Sequence, residues 1–330
     1  MLRATTSPPR VCIVSPALAD ANNGNWQTAS RWQRFLAPMC DVHLCSEWQR
    51  AADGTVLIAL HARRSADSIE RFRASFPDGP LALVLTGTDL YRDLQTDAQA
   101  RHSLECATRV VVLQERGLDV LDAATRAKAS VIVQSAPAMT VAPRPGDPDF
   151  VAVGHLRPEK DPQAVWDAAR ALAGDLRPPT IVHIGAALDA ALGDAASATM
   201  NSCRAYRWLG ARSHATTRRA IARARALVHP SRIEGGANVV IEAVRSRVPV
   251  LATRIDGNVG LLGADYGGYF SAGDAKGLAA LMRRFIADAG FATHLSAQCA
   301  IREPLFRPSV ERRAVRSLVL DLLASSKPRR

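Results

Sequence analysis

Short, wholly apolar runs alternate along this chain with polar loops and helix-like segments. Two examples are Val56–Leu60 and Leu81–Leu85, in which every residue is apolar. Such a run, bounded by polar segments, is typical of a strand that is buried on both faces of a parallel sheet. Parallel strands need a crossover connection, usually a helix. The alternation therefore predicts an α/β fold built from doubly wound, Rossmann-like sheets.

The same pattern continues in both halves of the chain and predicts two domains. Further strands are expected at residues 11–14, 42–44, 110–113, 131–133, 150–153, 180–184, 207–209 and 226–229. Residues 137–148 contain four prolines and a glycine, which is typical of a linker. A length of 330 residues also suggests about two domains. We expect an N-terminal domain at 1–148, a second domain at 149–305, and a C-terminal helix at 306–330 that packs back toward the first domain.

Residues 229–244 carry the most informative chemistry. They read as a strand end, a tight loop and a helix, with Glu234 in the loop and Glu242 inside the helix, eight residues later. The unpaired N–H groups of a helix start favour an anion, and glycines let the backbone approach it closely. The candidate amides are those of Gly235, Gly236, Ala237 and Asn238. The pattern suits a nucleotide-sugar diphosphate, with the ribose on Glu242 and the second sugar on Glu234. A capped helix with two solvated glutamates is the alternative.

A second turn with basic side chains follows the strand at 150–153. Arg157 can pair with a diphosphate through its planar fork, and Lys160 can do so as a point charge. Lysine is rare here, with four among 42 basic residues, so Lys160 stands out. Arg212 follows the strand at 207–209, where backbone atoms are available to the edge of a nucleobase.

Three loops in the first half collect amide, basic and hydroxyl side chains after predicted strands. The candidate residues for binding an anion or another part of the substrate are Asn22, Asn25, His61, Arg63, Arg64, Thr86, Thr88 and Asp89. Ligands of doubly wound sheets bind at the carboxyl ends of strands, where these loops lie. His61 is the candidate for proton transfer. Plain turns, helix-surface arginines and a helix cap at 86–89 remain the alternatives.

Composition narrows the class of protein. A net charge of +11 is compatible with binding to nucleic acid. However, the arginines are scattered along the chain, and no zinc-finger or RNA-recognition spacing appears. No apolar run approaches the ~20 residues of a membrane span, and the first apolar run is too short for a signal peptide. We therefore expect a cytoplasmic enzyme that binds neither nucleic acid nor membrane.

Cofactor signatures are missing from the sequence. The six cysteines form no C-x-x-C pair, so no metal site is predicted. No G-x-G-x-x-G follows the first strand, which disfavours a nicotinamide dehydrogenase. We expect no cofactor. The oligomeric state is not determined by these patterns.

The two glutamates, the Pro-Ser before them and the Val-Pro-Val after them resemble the Glu-x7-Glu signature of glycosyltransferase family 4. The turn at 154–160 is similar to the phosphate-binding motif G-R-L-x-x-x-K of that family. Here His155 stands in place of the usual arginine, and the first loop carries Asn23-Gly24-Asn25 where Gly-Gly is usual. The resemblance implies a GT-B fold, with two facing Rossmann-like domains and the active site in a cleft between them. It also implies metal-independent catalysis, with Gly24 and His155 among the nucleotide-sugar contacts.

The sequence segments that include these departures resemble the selenosugar synthases of selenoneine biosynthesis, the SenB branch of family 4. The segments that carry this resemblance are 16–29, 60–66, 85–91, 153–162, 234–243 and 257–263. It implies transfer of a sugar from UDP-N-acetylglucosamine or UDP-glucose to selenophosphate, giving a 1-seleno-sugar, UDP and phosphate. The catalytic candidates are then His61, Arg157, Lys160 and Glu234. The alternatives are an ordinary family 4 enzyme with a hydroxyl acceptor and a nucleotide-sugar epimerase on the same fold.

Overall fold

The computed structural model describes residues 8–18, 24–49, 55–142 and 144–325. The chain divides into two compact units, one of Met1–Gln134 with Pro308–Arg330 and the other of Ser135–Arg307. The division falls before the proline-rich segment at 137–148 that the sequence suggested as linker. The residue just before that segment is bonded to the second unit, because the Arg245 Nε donates to the carbonyl of Ala136 at 2.8 Å.

Unit 1 contains a six-stranded sheet in which all strand pairs are parallel. Its strands are β1 (Arg10–Val14), β2 (Asp41–Cys45), β3 (Val56–Leu60), β4 (Leu81–Leu85), β5 (Arg109–Val112) and β6 (Ala129–Val131), in the order β2-β1-β3-β4-β5-β6. Its helices are α1 (Gly24–Leu36), α2 (Ala66–Ser75), α3 (Leu94–Thr96), α4 (Ala98–Cys106), α5 (Ala123–Ala127) and, from the chain end, α13 (Pro308–Ser325). A π-helical turn at Asp89–Asp93 precedes α3.

Unit 2 contains a second six-stranded parallel sheet. Its strands are β7 (Phe150–Val153), β8 (Ile181–Ile184), β9 (Tyr206–Trp208), β10 (Ala226–His229), β11 (Val250–Thr253) and β12 (Tyr269–Phe270), in the order β12-β11-β10-β7-β8-β9. Its helices are α6 (Pro162–Leu172), α7 (Ala190–Ser202), α8 (His214–Arg223), α9 (Asn238–Arg245), α10 (Asp256–Leu262), α11 (Ala275–Ala287) and α12 (Ala289–Arg302). The predicted doubly wound α/β architecture is confirmed in both units.

The central strands are buried because helices cover both faces of each sheet. All five residues of β3 and of β4 are buried, as the apolar runs predicted. Alternate residues of β1 point into two separate hydrophobic cores on opposite faces of the sheet. Val11 and Ile13 pack with α1 and α13, while Cys12 and Val14 pack with α2 and α4. The last strand of this sheet is shifted from its predicted position at 131–133 to Ala129–Val131. Beyond that strand, the N–H of Ile132 still donates a hydrogen bond to the carbonyl of Val112 at 3.0 Å.

A buried ion pair attaches the C-terminal helix to unit 1. Glu311 of α13 has no exposed surface, and its carboxylate accepts from the Arg31 Nε at 2.6 Å and from the Trp32 Nε1 at 2.8 Å. Both donors belong to α1. The apolar residues Val315 and Val319 of α13 extend the same contact into the core. No helix in the described ranges is long and apolar enough to cross a membrane.

We predict that Glu311→Gln lowers the free energy of unfolding by about 3–5 kcal/mol, because it leaves the buried Arg31 charge without a counter-charge. Chemical denaturation measures the effect. The control is Asp119→Asn, which breaks the exposed Arg116–Asp119 pair and should cost at most about 1 kcal/mol. Equal losses in the two variants would contradict the importance assigned to the buried pair.

Candidate functional site

The strand order of unit 2 places two polar loops side by side. The order reverses direction between β7 and β10, which are hydrogen-bonded neighbours. Ligands of doubly wound sheets bind at such a switch point, outside the carboxyl ends of the strands. The loop after β7 carries Gly154 to Asp161, and the loop after β10 carries Pro230 to Ala237. Two motifs that are about 75 residues apart in sequence therefore meet in one place.

Glu234 lies where the two loops come together. It is 8% exposed, and its Oε1 forms an ion pair with the Nζ of Lys160. The Nε2 of the buried His229, the last residue of β10, lies 3.2 Å from the same oxygen. Burial by itself would raise the pKa of Glu234, but Lys160 and His229 outweigh it and hold that pKa well below its usual range. Glu234 is therefore a carboxylate at neutral pH, ready to accept hydrogen bonds from hydroxyls.

The two loops are also bonded to each other through their backbones. Arg232 N–H donates to the carbonyl of Glu159 at 2.9 Å, and the Arg232 guanidinium pairs with Asp161 at 2.8 Å. Asp161 adopts the left-handed conformation, with φ 45°, which turns the chain from Lys160 directly into α6. These bonds fix the position of Lys160 relative to Glu234.

His155 and Arg157 occupy the same loop as Lys160. Ala186 N–H donates to the Nδ1 of His155 at 3.1 Å, so a neutral ring carries its proton on Nε2. Burial, followed by the charges of Arg157 and Lys160, lowers the pKa of His155 and keeps the ring neutral. The Nε of Arg157 is buried and has no hydrogen-bond partner among the described residues. A buried N–H donor without a partner costs free energy, and a bound anion would satisfy it.

Helix α9 begins at Asn238, as predicted, with Ala237 at the capping position. Alanine has no side-chain acceptor, and no side-chain hydrogen bond caps this helix. The helix start is nevertheless mostly buried, with Ala237 3% exposed. Backbone donors at the end of a helix dipole are thus left available beside Lys160 and Arg157.

Glu242 lies one turn into α9 and has a partner that the sequence did not reveal. It is 5% exposed, and its Oε1 lies 2.6 Å from the Nε2 of His214, the first residue of α8. The two residues are 28 positions apart. No local spacing rule connects them, because the contact arises from the packing of α8 against α9. Its Oε2 is not engaged by His214 and is the oxygen left for another donor.

The glycine-rich segment at 257–263 is mainly a helix, α10. A Cβ atom on Gly257 would lie 2.2 Å from the carbonyl oxygen of Glu234 and 2.7 Å from its Cβ. Real atoms do not approach so closely, so only glycine fits. The start of α10 therefore packs directly on the backbone of Glu234.

We predict that Gly257→Ala lowers the free energy of unfolding by about 1–3 kcal/mol, because Glu234 or α10 must move to make room. Thermal or chemical denaturation measures the change. Gly174→Ala is the matched control, since nothing lies within 4 Å of the position that a Cβ atom would take there. A Gly257 variant as stable as that control would show that the contact with Glu234 is not tight.

Unit 1 brings a second group of predicted residues together at its own switch point, between β1 and β3. His61 follows β3, is 2% exposed, and adopts φ 74°, a conformation that is unusual for a residue other than glycine. Its Nδ1 accepts the Arg64 N–H at 3.4 Å, and its Nε2 lies 3.1 Å from the Thr88 hydroxyl. Burial lowers the pKa of His61, against the opposing effect of Asp89 and Asp93. The ring is therefore neutral, with its proton on Nε2 and directed at Thr88.

The structure gives Asp89 a structural role in place of the predicted contact with an acceptor. Its carboxylate is fully buried and accepts from the backbone N–H groups of Ala62, Thr86 and Gly87, at 3.0, 2.8 and 2.8 Å. The Thr86 hydroxyl lies 3.4 Å from the same carboxylate. Asp89 thus joins the loop after β3 to the loop after β4, and its oxygens are occupied by the protein.

Two arginines follow His61 and differ in their surroundings. Arg63 pairs with Asp93 at 2.9 Å. Arg64 is exposed, and its guanidinium forms no ion pair with a carboxylate in the described part of the chain. Of the two arginines, Arg64 is therefore the one whose positive charge is available to pair with an anion.

The remaining predicted residues are dispersed. Gly24 and Asn25 form the start of α1, whereas Asn22 lies outside the described residues. Arg212 is exposed on the segment between β9 and α8, and its side chain donates to the carbonyl of Ala211 at 2.9 Å. Within the described ranges, no three His, Cys, Asp or Glu side chains are arranged to hold a metal ion.

Residues 140–300 match the model of the family "Glycosyl transferases group 1". This match covers most of unit 2, including both loops of the switch point. A search of curated protein sequences finds no match.

Several solved structures share the fold. Sucrose-phosphate synthase of Thermosynechococcus elongatus superposes with a TM-score of 0.77 at 16% identity, covering 96% of this chain and 100% of that one. Anabaena HepE in complex with UDP and glucose gives 0.72 at 14% identity, covering 95% and 100%. A TarM variant of S. aureus in complex with UDP gives 0.64 at 14% identity, covering 82% of this chain and 55% of that one. With two parallel doubly wound sheets, the chain has the Rossmann-like GT-B fold that the sequence predicted.

Proposed function

We propose that this protein is a glycosyltransferase that uses a UDP-sugar as donor. The observation that carries the proposal is the ion pair between the half-buried Lys160 and the buried Glu234 at the switch point of unit 2, beside the uncapped start of α9. The pair sets a cation and a carboxylate next to backbone donors, as a sugar diphosphate requires. The complexes of HepE with UDP and glucose and of pneumococcal GtfA with UDP and GlcNAc agree with a donor of this class.

The local geometry supports the following donor-binding roles. We assign the diphosphate to the amides of Gly235, Gly236, Ala237 and Asn238 and to the side chains of His155, Arg157 and Lys160. His155 contributes a neutral N–H donor where the related motif has a charged arginine. Arg157 contributes a buried donor that the protein leaves unpaired. Charge neutralisation at the leaving group is the main catalytic effect expected of such a site.

The two glutamates bind hydroxyls in this proposal. Glu242 accepts from the ribose through the oxygen that His214 does not engage. Glu234, whose pKa is held low by Lys160 and His229, accepts from the transferred sugar. We assign Arg212 to the nucleobase side and Gly24 to the sugar, on the resemblance alone.

We further propose selenophosphate as the acceptor, on the strength of the resemblance to selenosugar synthases. Arg63, Arg64, Asn25, Asn22, Thr86 and Thr88 are the residues assigned to it. Selenium attacks the anomeric carbon, the bond from that carbon to the diphosphate oxygen breaks, and UDP leaves with the electron pair. Water then attacks phosphorus and cleaves the phosphorus–selenium bond, giving phosphate and the 1-seleno-sugar.

A selenium nucleophile needs little help from a general base, so positioning and charge dominate. The neutral His61, whose Nε2 proton points at Thr88, fits a role in holding the acceptor loop and in the later loss of phosphate. An anionic acceptor also gives a function to the exposed Arg64.

We predict that Lys160→Ala lowers the rate of UDP release by about 100- to 1,000-fold, because it removes a cation from the leaving diphosphate. The control is Lys276→Ala, an exposed lysine that should leave the rate unchanged. Circular dichroism and denaturation verify that both variants fold. A near-normal rate in the folded Lys160 variant would show that this residue does not act in the site, and the Lys160–Glu234 pair would then no longer support the proposal.

The acceptor is tested separately by measuring UDP release from UDP-N-acetylglucosamine with and without selenophosphate, followed by mass analysis. We expect release that depends on selenophosphate and a product with the mass of a seleno-sugar. Release with sugar or lipid acceptors, but not with selenophosphate, would favour an ordinary hydroxyl acceptor. Formation of an isomeric UDP-sugar would favour an epimerase. Neither of the last two outcomes would affect the assignment of the donor site.

A further inference from the structure

Two cysteines of unit 1 lie next to each other at the edge of the sheet. Strand β2 is the last strand on its side of the described sheet and pairs with β1 in parallel, with Cys12 opposite His43 and Val14 opposite Cys45. Cys12 and Cys45 therefore point to the same face. Their Sγ atoms are 3.5 Å apart, within hydrogen-bond distance for sulfur.

The surroundings make one thiol accessible and keep the other protected. Cys12 is 5% exposed and belongs to the core that contains Val14 and Trp48. Cys45 is half-buried and packs only partly against that core. Both thiols line one surface pocket, together with the exposed His43. A small reagent can thus reach Cys45 first and then find Cys12 directly behind it.

The hydrogen bond between the thiols also differentiates their chemistry. Either sulfur can donate in this bond, and with Cys12 as the donor the bond stabilises the Cys45 thiolate. The bond lowers the pKa of Cys45 and raises the pKa of Cys12. The thiolate is the reactive form of cysteine. Geometry and ionisation therefore select the same residue as the nucleophile.

We propose that Cys12 and Cys45 form an oxidisable dithiol, which closes to an intramolecular disulfide when a hydroperoxide reaches Cys45. The Cys45 thiolate attacks the peroxide oxygen, breaking the oxygen–oxygen bond and giving a sulfenic acid. The Cys12 sulfur then attacks the Cys45 sulfur and expels the hydroxyl group as water. In sum, two thiols and one hydrogen peroxide give one disulfide and two waters.

Closing this bond must disturb the strand ends. The sulfurs have to approach from 3.5 Å to about 2.05 Å, although the two residues are not directly opposite in the register. The carbonyl of Cys45 accepts the N–H of Ser15 at 3.0 Å, where β1 ends and its loop begins. A shift of β2 along β1 is therefore transmitted to the start of that loop. Dithiothreitol reduces such a disulfide by thiol–disulfide exchange, so the oxidation is reversible.

The other cysteines provide an internal control. Cys40, Cys203 and Cys299 are at most 5% exposed, so a reagent does not reach them in the folded protein. Cys106 is half-buried like Cys45, but its neighbour is the Nε2 of His102, at 3.5 Å, and not a second thiol. Burial raises the pKa of Cys106. It matches Cys45 in exposure class and lacks the resolving partner.

The experiment uses the full chain, treated with hydrogen peroxide, blocked with N-ethylmaleimide under denaturing conditions, digested and analysed by mass spectrometry. We expect a peptide pair joined through Cys12 and Cys45 that disappears on treatment with dithiothreitol. Before oxidation, Cys45 in the folded protein should react with N-ethylmaleimide on the order of tenfold faster than Cys106. In Cys12→Ser the oxidation should stop at a Cys45 sulfenic acid, which dimedone traps. Cys12→Ala repeats this test without a polar atom in the core.

Several results would overturn the proposal. One is peroxide treatment that leaves Cys12 and Cys45 both alkylatable, or that oxidises Cys45 to the sulfinic acid without a link to Cys12. Another is equal rates for Cys45 and Cys106. If neither Cys12 variant folds, the wild-type cross-link and the rate comparison still decide the outcome. None of these measurements depends on the donor or the acceptor of the enzyme.

Discussion

The parallel pairing of β7 with β10 is the constraint on which the candidate site depends. These strands are neighbours at the point where the strand order of unit 2 reverses. The loops that follow them therefore border the same crevice at the carboxyl ends of the strands. The Lys160–Glu234 ion pair is the direct consequence, since the two residues are brought together from loops 74 positions apart. Burial makes the pair costly unless each charge is well satisfied, and His229 and the backbone of the loops supply the additional support. Gly257 completes the arrangement by allowing α10 to pack against Glu234.

Unit 1 uses the same topological device with different side chains. Its switch point lies between β1 and β3, and the strained His61 marks the end of β3. Strain of about 1–3 kcal/mol at such a residue persists only where the surroundings compensate for it. Here Asp89 compensates by accepting three backbone N–H groups from the two adjoining loops. The position of the Thr88 hydroxyl and of Arg64 thus depends on a carboxylate that no ligand can reach.

Most of the secondary structure could be predicted from the sequence because buried parallel strands leave a strong local signal. The runs at Val56–Leu60 and Leu81–Leu85 became fully buried strands with unchanged bounds. The start of α9 at Asn238 was also predictable, since two glycines precede it and an amphipathic segment follows. The segment at 257–263 contains three glycines close together, a composition more typical of a turn than of the helix found there. In the structure Gly257 is required for close packing within a helix.

The α/β class, most strand positions and the basic and acidic motifs follow from the sequence, because each depends on residues that are close together along the chain. Which of those residues meet follows only from the folded structure. It paired Glu242 with His214, and it assigned Asp89 to the backbone and not to a ligand. It also joined Arg31 to Glu311 across 280 positions and set Cys12 beside Cys45. The physical reason is that such contacts follow from strand order and helix packing, which depend on the whole chain and leave no local pattern to read.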